Sequence, residues 1–261
     1  MFALSKSEHM ETSARHTAIL QIARGQGKVD VTDLAASMRV TVQTVRRDLR
    51  QLSTAGLLER VHGGAVLPSG VRNVGYDDRR SISRDAKARI AVKVAQIIPD
   101  NASLFLSIGT TTEAVARALR QHQNLMVVTN NLNVANILAS VPTCDVVVAG
   151  GNLRRSDGGL VGDLAALAIA RFKVDFAVIG TSAIDHGGDL LDFDPEEIRV
   201  SQQILGAART AILVADASKL TRKAPVRVAS LAQIDHFVTD RLPSERLANA
   251  CADWQTKVSL A

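Results

Sequence analysis

The sequence predicts two folded parts: a winged helix-turn-helix domain over residues 15–68, and an α/β domain with a doubly wound parallel sheet over residues 84–261. In the first part, apolar residues recur at helical spacing, and a Gly-Gly pair follows them at the distance of a hairpin. From Lys87 onward, short apolar runs alternate with amphipathic stretches. Residues 69–83 lack a sustained apolar period and are predicted to form a linker.

Composition and charge agree with two domains, one of them basic. The chain has 261 residues, of which 46% are hydrophobic, so it is long enough for about two domains with sizeable cores. Its formal net charge is +5, from 31 Lys and Arg against 26 Asp and Glu. Residues 15–68 contain eight basic and four acidic residues, so most of the excess lies in the smaller domain, as expected of a nucleic-acid binder.

Cysteine usage and hydropathy indicate the compartment. Cys144 and Cys251 each lie in an apolar context, which predicts buried thiols rather than a disulfide or a metal pair. No apolar run approaches the roughly 20 residues of a membrane span, and the N-terminal residues lack the apolar core of a signal peptide. We therefore expect a cytoplasmic protein without membrane association, metal or cofactor.

The helix-turn-helix is predicted from three short amphipathic segments. The first helix covers residues 15–24 and is ended by Gly25 and Gly27. Thr32 is predicted to cap a short second helix, and Thr41 a third. The short turn between the second and third helices has the length that is typical of a helix-turn-helix.

The third helix carries the strongest functional signal. Its apolar residues fall on one stripe, while Gln, Thr and Arg cover the opposite face, as a reader of the DNA major groove requires. The alternative is an ordinary amphipathic helix with solvated arginines. Asp48 is expected to pair with a neighbouring arginine, because phosphate repels a carboxylate. The residues of this segment predicted to contact DNA are Thr41, Gln43, Thr44, Arg46, Arg47 and Arg50.

A wing is predicted directly after the third helix. Residues 57–61 and 65–67 are two short strands that join through His62-Gly63-Gly64, where glycine permits the positive φ of a tight turn. Arg60, His62 and Gly63 are predicted to contact the phosphate backbone or the minor groove.

The larger domain is predicted from regular alternation of strand and helix, which favours a parallel sheet covered on both faces. The predicted strands are 103–108, 125–129, 145–149, 175–179, 211–215 and 236–239, and the predicted helices are 87–98, 113–120, 134–139, 164–171 and 196–208.

Small and polar residues follow several of these strands, and in such sheets ligands bind beyond the carboxyl ends of the strands. Residues 109–112 open directly into a helix, so backbone N–H groups, hydroxyls and the helix dipole converge where a phosphate fits. The sequence therefore predicts a pocket for a small phosphorylated ligand. The predicted ligand-contacting residues are Gly109, Thr110, Thr111, Thr112, Asn130, Asn131, Gly150, Gly151, Gly180 and Lys219.

Each element of this pocket also has a plainer structural alternative. The 109–112 loop has the composition of a simple turn and cap, Asn130 and Asn131 suit turns, and Lys219 suits a solvated surface. Tyr76 and Trp254 have no aromatic companions nearby in the sequence and are assigned to packing.

Four runs resemble the DeoR family of bacterial transcription regulators, and the resemblance covers the chain from about residue 15 to beyond residue 240. These runs are Thr44–Leu49, Arg60–Ala65, Ile108–Thr111 and Asp216–Lys219. Three further runs narrow the resemblance to one branch of the family: Val127–Asn136, Ala149–Arg154 and Leu190–Asp194.

The resemblance implies a sensor domain similar to sugar-phosphate isomerases, which binds glycerol 3-phosphate or a sugar phosphate and releases operator DNA. It also implies a homodimer or homotetramer. The chain departs from the family at two positions: Ser107 stands where an acid is frequent, and Ser201 stands where a lysine is frequent. Both departures bear on the identity of the effector.

The rival interpretation is a phosphosugar isomerase or deaminase fused to a DNA-binding domain. Such an enzyme needs a positioned base and an acid. Candidates exist, but no run repeats the acid pair expected of those enzymes, so we favour a regulator and assign no catalytic residues. The candidate acids and bases are Asp185, Asp192, Asp194, Glu197 and Lys219.

Overall fold

The computed structural model describes residues 14–23, 28–55, 57–66 and 73–261. These residues belong to two compact units, one within residues 1–69 and 77–82 and the other within residues 70–76 and 83–261. Several predicted features lie outside the described residues: Arg24 at the end of the predicted first helix, the helix breakers Gly25 and Gly27, residues 67–68 at the end of the predicted winged domain, and residues 69–72 of the predicted linker.

The smaller unit is a winged helix-turn-helix, which confirms the predicted fold. Three strands form an antiparallel sheet in the order β1-β3-β2, and β1 was not predicted. The apolar stripe of the third helix, with Val45 and Leu49, packs in one core with Ile19, Leu34 and Leu58. The elements are α1 (residues 14–23), β1 (Lys28–Asp30), α2 (Val31–Ser37), α3 (Val42–Thr54), β2 (Glu59–Val61) and β3 (Gly64–Val66).

The caps of α2 and α3 set the start of the two helices. Thr41 caps α3 as predicted, and its hydroxyl accepts the Thr44 N–H at 3.1 Å. The prediction for α2 was wrong, because Asp30 is the cap: its carboxylate accepts the Thr32 N–H at 2.7 Å. A carboxylate satisfies the unpaired N–H groups and faces the positive end of the helix dipole, so the helix begins before Thr32.

The unpredicted strand β1 explains why two glycines stand at the wing. Gly63 has a φ of +77°, which permits the turn. Gly64 has a different constraint, since a Cβ there would lie 1.9 Å from the Val29 carbonyl oxygen. The close approach of β1 therefore requires glycine at residue 64.

The predicted linker contains a helix, α4 (Tyr76–Ser81), that sequence periodicity did not reveal. None of its residues is buried, so it carries no apolar stripe. Its acids Asp77 and Asp78 lie in the first turn, and Arg79 and Arg80 in the last, an order that complements the helix dipole.

The larger unit is built on a seven-stranded sheet in which all neighbouring strands are parallel. Its order is β15-β14-β12-β9-β4-β5-β6. The elements in chain order are α5 (Arg84–Ile97), β4 (Ser103–Leu106), α6 (Thr110–Ala118), β5 (Leu125–Thr129), α7 (Leu132–Leu138), β6 (Cys144–Val148), β7 (Asn152–Arg154), β8 (Gly159–Val161), α8 (Asp163–Ile169), β9 (Val174–Ile179), β10 (Ala183–Ile184), β11 (Asp189–Asp192), α9 (Pro195–Gly206), β12 (Ala208–Val214), β13 (Val226–Ser230), β14 (His236–Thr239), α10 (Glu245–Asp253) and β15 (Lys257–Leu260).

Helices cover both faces of this sheet, as predicted for a doubly wound fold. On β4, Leu104 and Leu106 pack in one core with residues of α5, α6 and α7. Phe105, between them, packs in a second core with residues of α8, α9 and α10. Alternate residues of a strand point to opposite faces, so each face of the sheet has its own apolar layer.

Several elements of the larger unit were not predicted: the β7–β8 hairpin, the small β10-β11-β13 sheet, α10 and β15. Their strands have two to five residues, which is too short for a distinct alternation of polar and apolar residues. Trp254 has the predicted packing role, because it packs against the apolar core. Its ring also lies close to Gly188, where an added Cβ would be only 2.8 Å from ring atoms.

Candidate functional site

A groove of about 790 Å³ lies between α3 and the β2–β3 hairpin. It is lined by all nine residues that the sequence predicts to contact DNA. Helix α3 supplies one wall, and the turn between β2 and β3 supplies the other. The nine residues are Thr41, Gln43, Thr44, Arg46, Arg47, Arg50, Arg60, His62 and Gly63.

The charge of this groove follows from which side chains of α3 turn inward. Arg46, Arg47 and Arg50 are exposed, whereas Asp48 is fully buried. The Arg15 Nη2 atom donates to Asp48 Oδ1 at 3.0 Å, and Arg15 Nε also donates to this carboxylate. The predicted pairing of Asp48 with an arginine is confirmed, and the acid of α3 is neutralised inside the unit. The groove is therefore positively charged.

The order of strands in the larger unit marks a second site. From β4 the chain moves outward through β5 to β6, then returns to β9 on the other side of β4 and continues outward through β12. The direction of winding thus reverses between β4 and β9. In open α/β sheets, ligands bind at this topological switch point, beyond the carboxyl ends of the strands. Residues 107–112 and 180–182 follow the two strands that flank it.

The loop after β4 leads into α6 without a side-chain cap. Gly109 has a φ of +149°, and no side chain caps the N-terminus of α6. Thr112 was predicted to contact the ligand, but it is fully buried. Its hydroxyl lies 2.7 Å from the carbonyl oxygens of Ser107 and Gly109. Thr112 therefore holds the loop, which leaves backbone N–H groups and Thr110 and Thr111 as its predicted ligand contacts.

Asn130 and Asn131, after β5, combine structural bonds with unpaired atoms. The Asn130 amide donates to the Leu160 carbonyl at 3.0 Å, and Asn131 Oδ1 caps α7 by accepting the Asn133 N–H at 2.9 Å. Asn130 Oδ1 and Asn131 Nδ2 are buried without a hydrogen-bond partner. Each asparagine thus keeps one polar atom for a further contact.

The other three glycines predicted at the site, Gly150, Gly151 and Gly180, differ in their surroundings. A Cβ on Gly150 would meet no atom within 4 Å, and one on Gly180 would only touch backbone oxygens at 4.0 Å. Gly151 is tightly packed, since a Cβ there would lie 2.7 Å from the Val161 carbonyl oxygen. Gly151 therefore serves the close packing of the β7–β8 hairpin.

Lys219 lies beyond β12 and faces a buried acid. Asp216 is 1% exposed. Burial, the largest influence, raises the pKa of its carboxyl, but Lys219, hydrogen bonding by Ser218, and Lys87 outweigh burial, so the pKa is lowered overall. Sequence reasoning missed Lys87, a buried lysine of α5. Its position on the same helical stripe as Ala91 and Val94 was the available signal.

A second missed residue is Arg154, which gathers three carboxylates. Its Nη2 atom lies 2.7 Å from Asp157 and 2.6 Å from Glu197, and Nη1 lies 2.6 Å from Asp194. Burial by itself lowers the pKa of the guanidinium, but Asp157 and Glu197 outweigh burial and raise it. Asp194 and Glu197 are thus held in ion pairs.

A third missed residue is Tyr76, for which the packing assignment was wrong. Its hydroxyl lies 2.9 and 3.0 Å from the two carboxylate oxygens of Glu113, in the first turn of α6.

The two departures from the family pattern lie in different places. Ser107 is buried beside the loop after β4, and Ser201 lies on α9.

Comparison with known proteins covers nearly the whole chain. The model of the DeoR-like helix-turn-helix domain matches residues 15–71, and that of the DeoR C terminal sensor domain matches residues 82–241. The glycerol-3-phosphate regulon repressor of Haemophilus influenzae is 43% identical over 96% of this chain and 98% of that protein. The repressor of the same name from Escherichia coli is 41% identical over 96% of this chain and 100% of that protein. The E. coli HTH-type transcriptional repressor CsqR is 39% identical over 94% of each chain.

Among solved structures, ribose 5-phosphate isomerase A from Methanocaldococcus jannaschii matches 53% of this chain and 55% of its own, with 14% identity and a TM-score of 0.40. This likeness is too slight to carry an argument. In the part of the chain that the structure describes, no helix is long and apolar enough to cross a membrane.

Proposed function

The chain belongs to the DeoR family, and we propose that it is a transcriptional repressor that binds operator DNA and is released by a small phosphorylated metabolite. Three sequence runs narrowed the resemblance to one branch of the family, that of the glycerol-3-phosphate regulon repressor. Two relatives of this chain have that name. Glycerol 3-phosphate is therefore the first candidate effector, and pentose and hexose phosphates are the next.

The observation that carries DNA binding is the groove of the winged unit. One wall of the groove carries the exposed arginines of α3, and the other carries the arginine of the wing. The acid of α3 is buried in an ion pair. A helix that presents Gln and Arg can read base edges in the major groove, while a wing arginine contacts phosphate. Gln43 and Arg47 are assigned to bases, and Arg60 to the backbone.

The support for effector binding is the switch point between β4 and β9. The uncapped N-terminus of α6 follows β4 at Gly109, and Asn130 and Asn131, each with a buried amide atom that lacks a partner, follow the neighbouring strand β5. Lys219 follows β12, two strands from β4 on its other side. N–H groups at a helix N-terminus and a lysine are donors that bind phosphate well. The metabolite is assigned to this edge of the sheet.

A ligand screen followed by an operator titration tests this function. A ligand that binds only the native state raises the melting temperature. We expect one or more of glycerol 3-phosphate, pentose phosphates and hexose phosphates to do so, and the same compound to dissociate the protein from a duplex that it has selected from a random-sequence library. Absence of a selected duplex would contradict the DNA-binding role, and absence of any response to these compounds would contradict the effector role.

A homo-oligomer is part of the proposal, because helix-turn-helix dimers read two half-sites about one helical turn apart. Leu164 and Leu167 of α8 are 68% and 65% exposed and lie three residues apart. Beside Leu167 is a groove of about 540 Å³ that Val148 of the edge strand β6 also lines. An edge strand with an apolar helix next to it suits a second copy of this chain. Leu167→Lys should lower the mass measured by ultracentrifugation, whereas Val92→Lys, at another exposed apolar residue, should not.

The alternative of a phosphosugar enzyme is less well supported. Asp194 and Glu197 are paired with Arg154, and Asp185 accepts backbone N–H groups within a turn. Asp192 accepts from Ser182 at 2.9 Å. Each of these carboxylates already accepts a hydrogen bond or an ion pair from the protein, and that contact would have to break before the group could take a proton from a substrate. An assay of ketose to aldose interconversion separates the two functions, and turnover that Lys219→Ala abolishes would favour the enzyme.

A further inference from the structure

A short segment that ends in Tyr76, the first residue of α4, touches both loops of the switch point. We call this segment, residues 73–76, the strap. The Asn73 side chain donates to Ser182 Oγ at 3.0 Å, and Ser182 lies beyond the carboxyl end of β9. Three residues later, the Tyr76 hydroxyl donates to the Glu113 carboxylate at 2.9 Å. Glu113 follows β4, on the other side of the switch point. The strap therefore bridges the two loops.

Both contacts of the strap are made to buried groups. Glu113 is 2% exposed and Ser182 is 4% exposed. Tyr76 also accepts from the Asn133 amide at 3.0 Å, and Ser182 in turn donates to Asp192. Glu113 also accepts from the Asn133 amide at 3.1 Å and lies 3.8 Å from the Arg117 guanidinium. The Tyr76 hydroxyl is thus the contact that joins the strap to a network of hydrogen bonds around a buried carboxylate. The strap thus has one well-defined position on this unit.

The strap's contacts are also joined to the predicted phosphate loop. The Glu113 N–H donates to the Gly109 carbonyl at 3.0 Å, which closes the first turn of α6. A ligand that binds at the start of α6 and beside residues 180–182 selects one separation of the two loops. Since the strap spans these loops, its preferred position depends on that separation.

The chain leaves this unit directly after the strap. Residues 70–76 belong to the larger unit, and residues 77–82 belong to the smaller one. We propose that the strap is the element through which effector occupancy reaches the winged unit, with Asn73 and Tyr76 as the residues that couple the two. The inference rests on the proposed function, since it takes the switch point as the effector site.

Two single substitutions test this coupling independently. Tyr76→Phe removes the hydroxyl and keeps the ring, and Asn73→Ala removes the amide. Gln202→Ala is the matched control, because it deletes another side-chain amide bond, to the Val228 carbonyl at 2.9 Å, in the same unit and at a helical position that alanine tolerates. For each protein we would measure affinity for the selected duplex with and without saturating glycerol 3-phosphate, or with whichever of the screened phosphates binds best. Effector affinity would be measured by calorimetry, and folding by thermal unfolding.

In the wild type and in Gln202→Ala, effector should weaken operator binding by about tenfold or more. In Tyr76→Phe and Asn73→Ala the change should fall to about twofold or less, although both variants still bind effector and duplex separately. If one variant fails to fold, the other decides. Wild-type release by a folded variant would overturn the role of the strap and leave the proposed function intact. A wild type that no phosphorylated compound releases would overturn the proposed function itself.

Discussion

The two candidate sites of this protein are assembled in opposite ways. The predicted DNA-contacting residues lie within a single stretch, from Thr41 to Gly63, on one helix and one hairpin. The predicted effector-contacting residues are spread from Gly109 to Lys219, at the ends of five different strands. A site made by one local motif depends on few long-range contacts, whereas a site made by strand ends exists only when the sheet has its correct order. This difference governs how each site responds to mutation.

The largest expected effect is on the local site and comes from Gly64, a glycine that is not among the predicted DNA contacts. Gly64→Ala would place a Cβ 1.9 Å from the Val29 carbonyl oxygen, so β1 must separate from β3. We expect the winged unit to lose about 3 kcal/mol of stability, and operator binding to fail with it. Effector binding, in the other unit, should persist. Thermal unfolding measures the loss of stability, and calorimetry with effector measures whether effector binding persists.

The matched control for this change is Gly206→Ala, where an added Cβ meets no atom within 4 Å. Because Gly206 ends a helix, alanine should be neutral or slightly stabilising there. Loss of effector binding in Gly64→Ala would show that the two sites are less independent than their construction indicates.

The next effect is on the distributed site. Gly109→Val should abolish the effector response, because a branched side chain is strained at a φ of +149° and occupies space at the start of α6. Operator binding should be retained, so the variant should behave as a repressor that cannot be induced. Titration of effector into the preformed complex with DNA provides the measurement. Gly180→Ala, where a Cβ has room at 4.0 Å, is the milder comparison.

Within the DNA-binding groove, two arginines should differ in kind. Arg47→Ala should reduce discrimination between the selected duplex and a scrambled one by about 1 to 3 kcal/mol, because Arg47 is assigned to a base edge. Arg60→Ala should weaken all sequences alike and lower the slope of log affinity against log salt by about one. Affinities measured over a range of salt concentrations distinguish them. If the two variants lose specificity and salt dependence to the same extent, the assignment of base reading to α3 and of backbone contact to the wing is wrong.

The same difference explains what the sequence could predict. In the winged unit the N-cap at Thr41 and the apolar stripe of α3 were predicted, because caps and helical stripes are local signals, and the pairing of Asp48 with an arginine was predicted from its charge. In the larger unit the alternation of strands and helices predicted the fold class, but the order of the strands was not predictable, because that order depends on pairing between distant segments. The position of the switch point between β4 and β9 was therefore found only in the structure.

The missed residues have the same cause. Tyr76, Lys87 and Arg154 acquire their roles from partners that are distant in sequence: Glu113, Asp216 and Glu197. Nothing near Tyr76 in the chain marks it as a hydrogen-bond donor to a buried acid. Helix α4 was missed for another reason, since a helix with no buried residue carries no apolar period.

The smallest expected effect is that of Lys219→Ala, which removes one charge from the distributed site. Effector binding should weaken by about tenfold, because a single charge-assisted contact is lost while the backbone donors at Gly109 remain. Calorimetry of the variant against wild type measures this. Unchanged affinity would place Lys219 outside the site, although the loop after β4 would still stand.

Lys219→Ala should also change how the free energy of unfolding depends on pH in acid. The direction of this change follows from the surroundings of Asp216. In the folded protein the pKa of this carboxyl is lowered: burial raises it, but Lys219, Ser218 and Lys87 outweigh burial. A carboxyl with a lowered pKa contributes stability that is present above its unfolded pKa and is lost as pH falls through its folded pKa. Without Lys219 the pKa of Asp216 rises, so this contribution becomes smaller and is lost at a higher pH. The free energy of unfolding of the variant, measured by denaturant titration from neutral pH into acid, should therefore start lower and change less than that of the wild type. A variant that follows the wild-type curve would show that Lys87 and Ser218 are sufficient to keep Asp216 ionised.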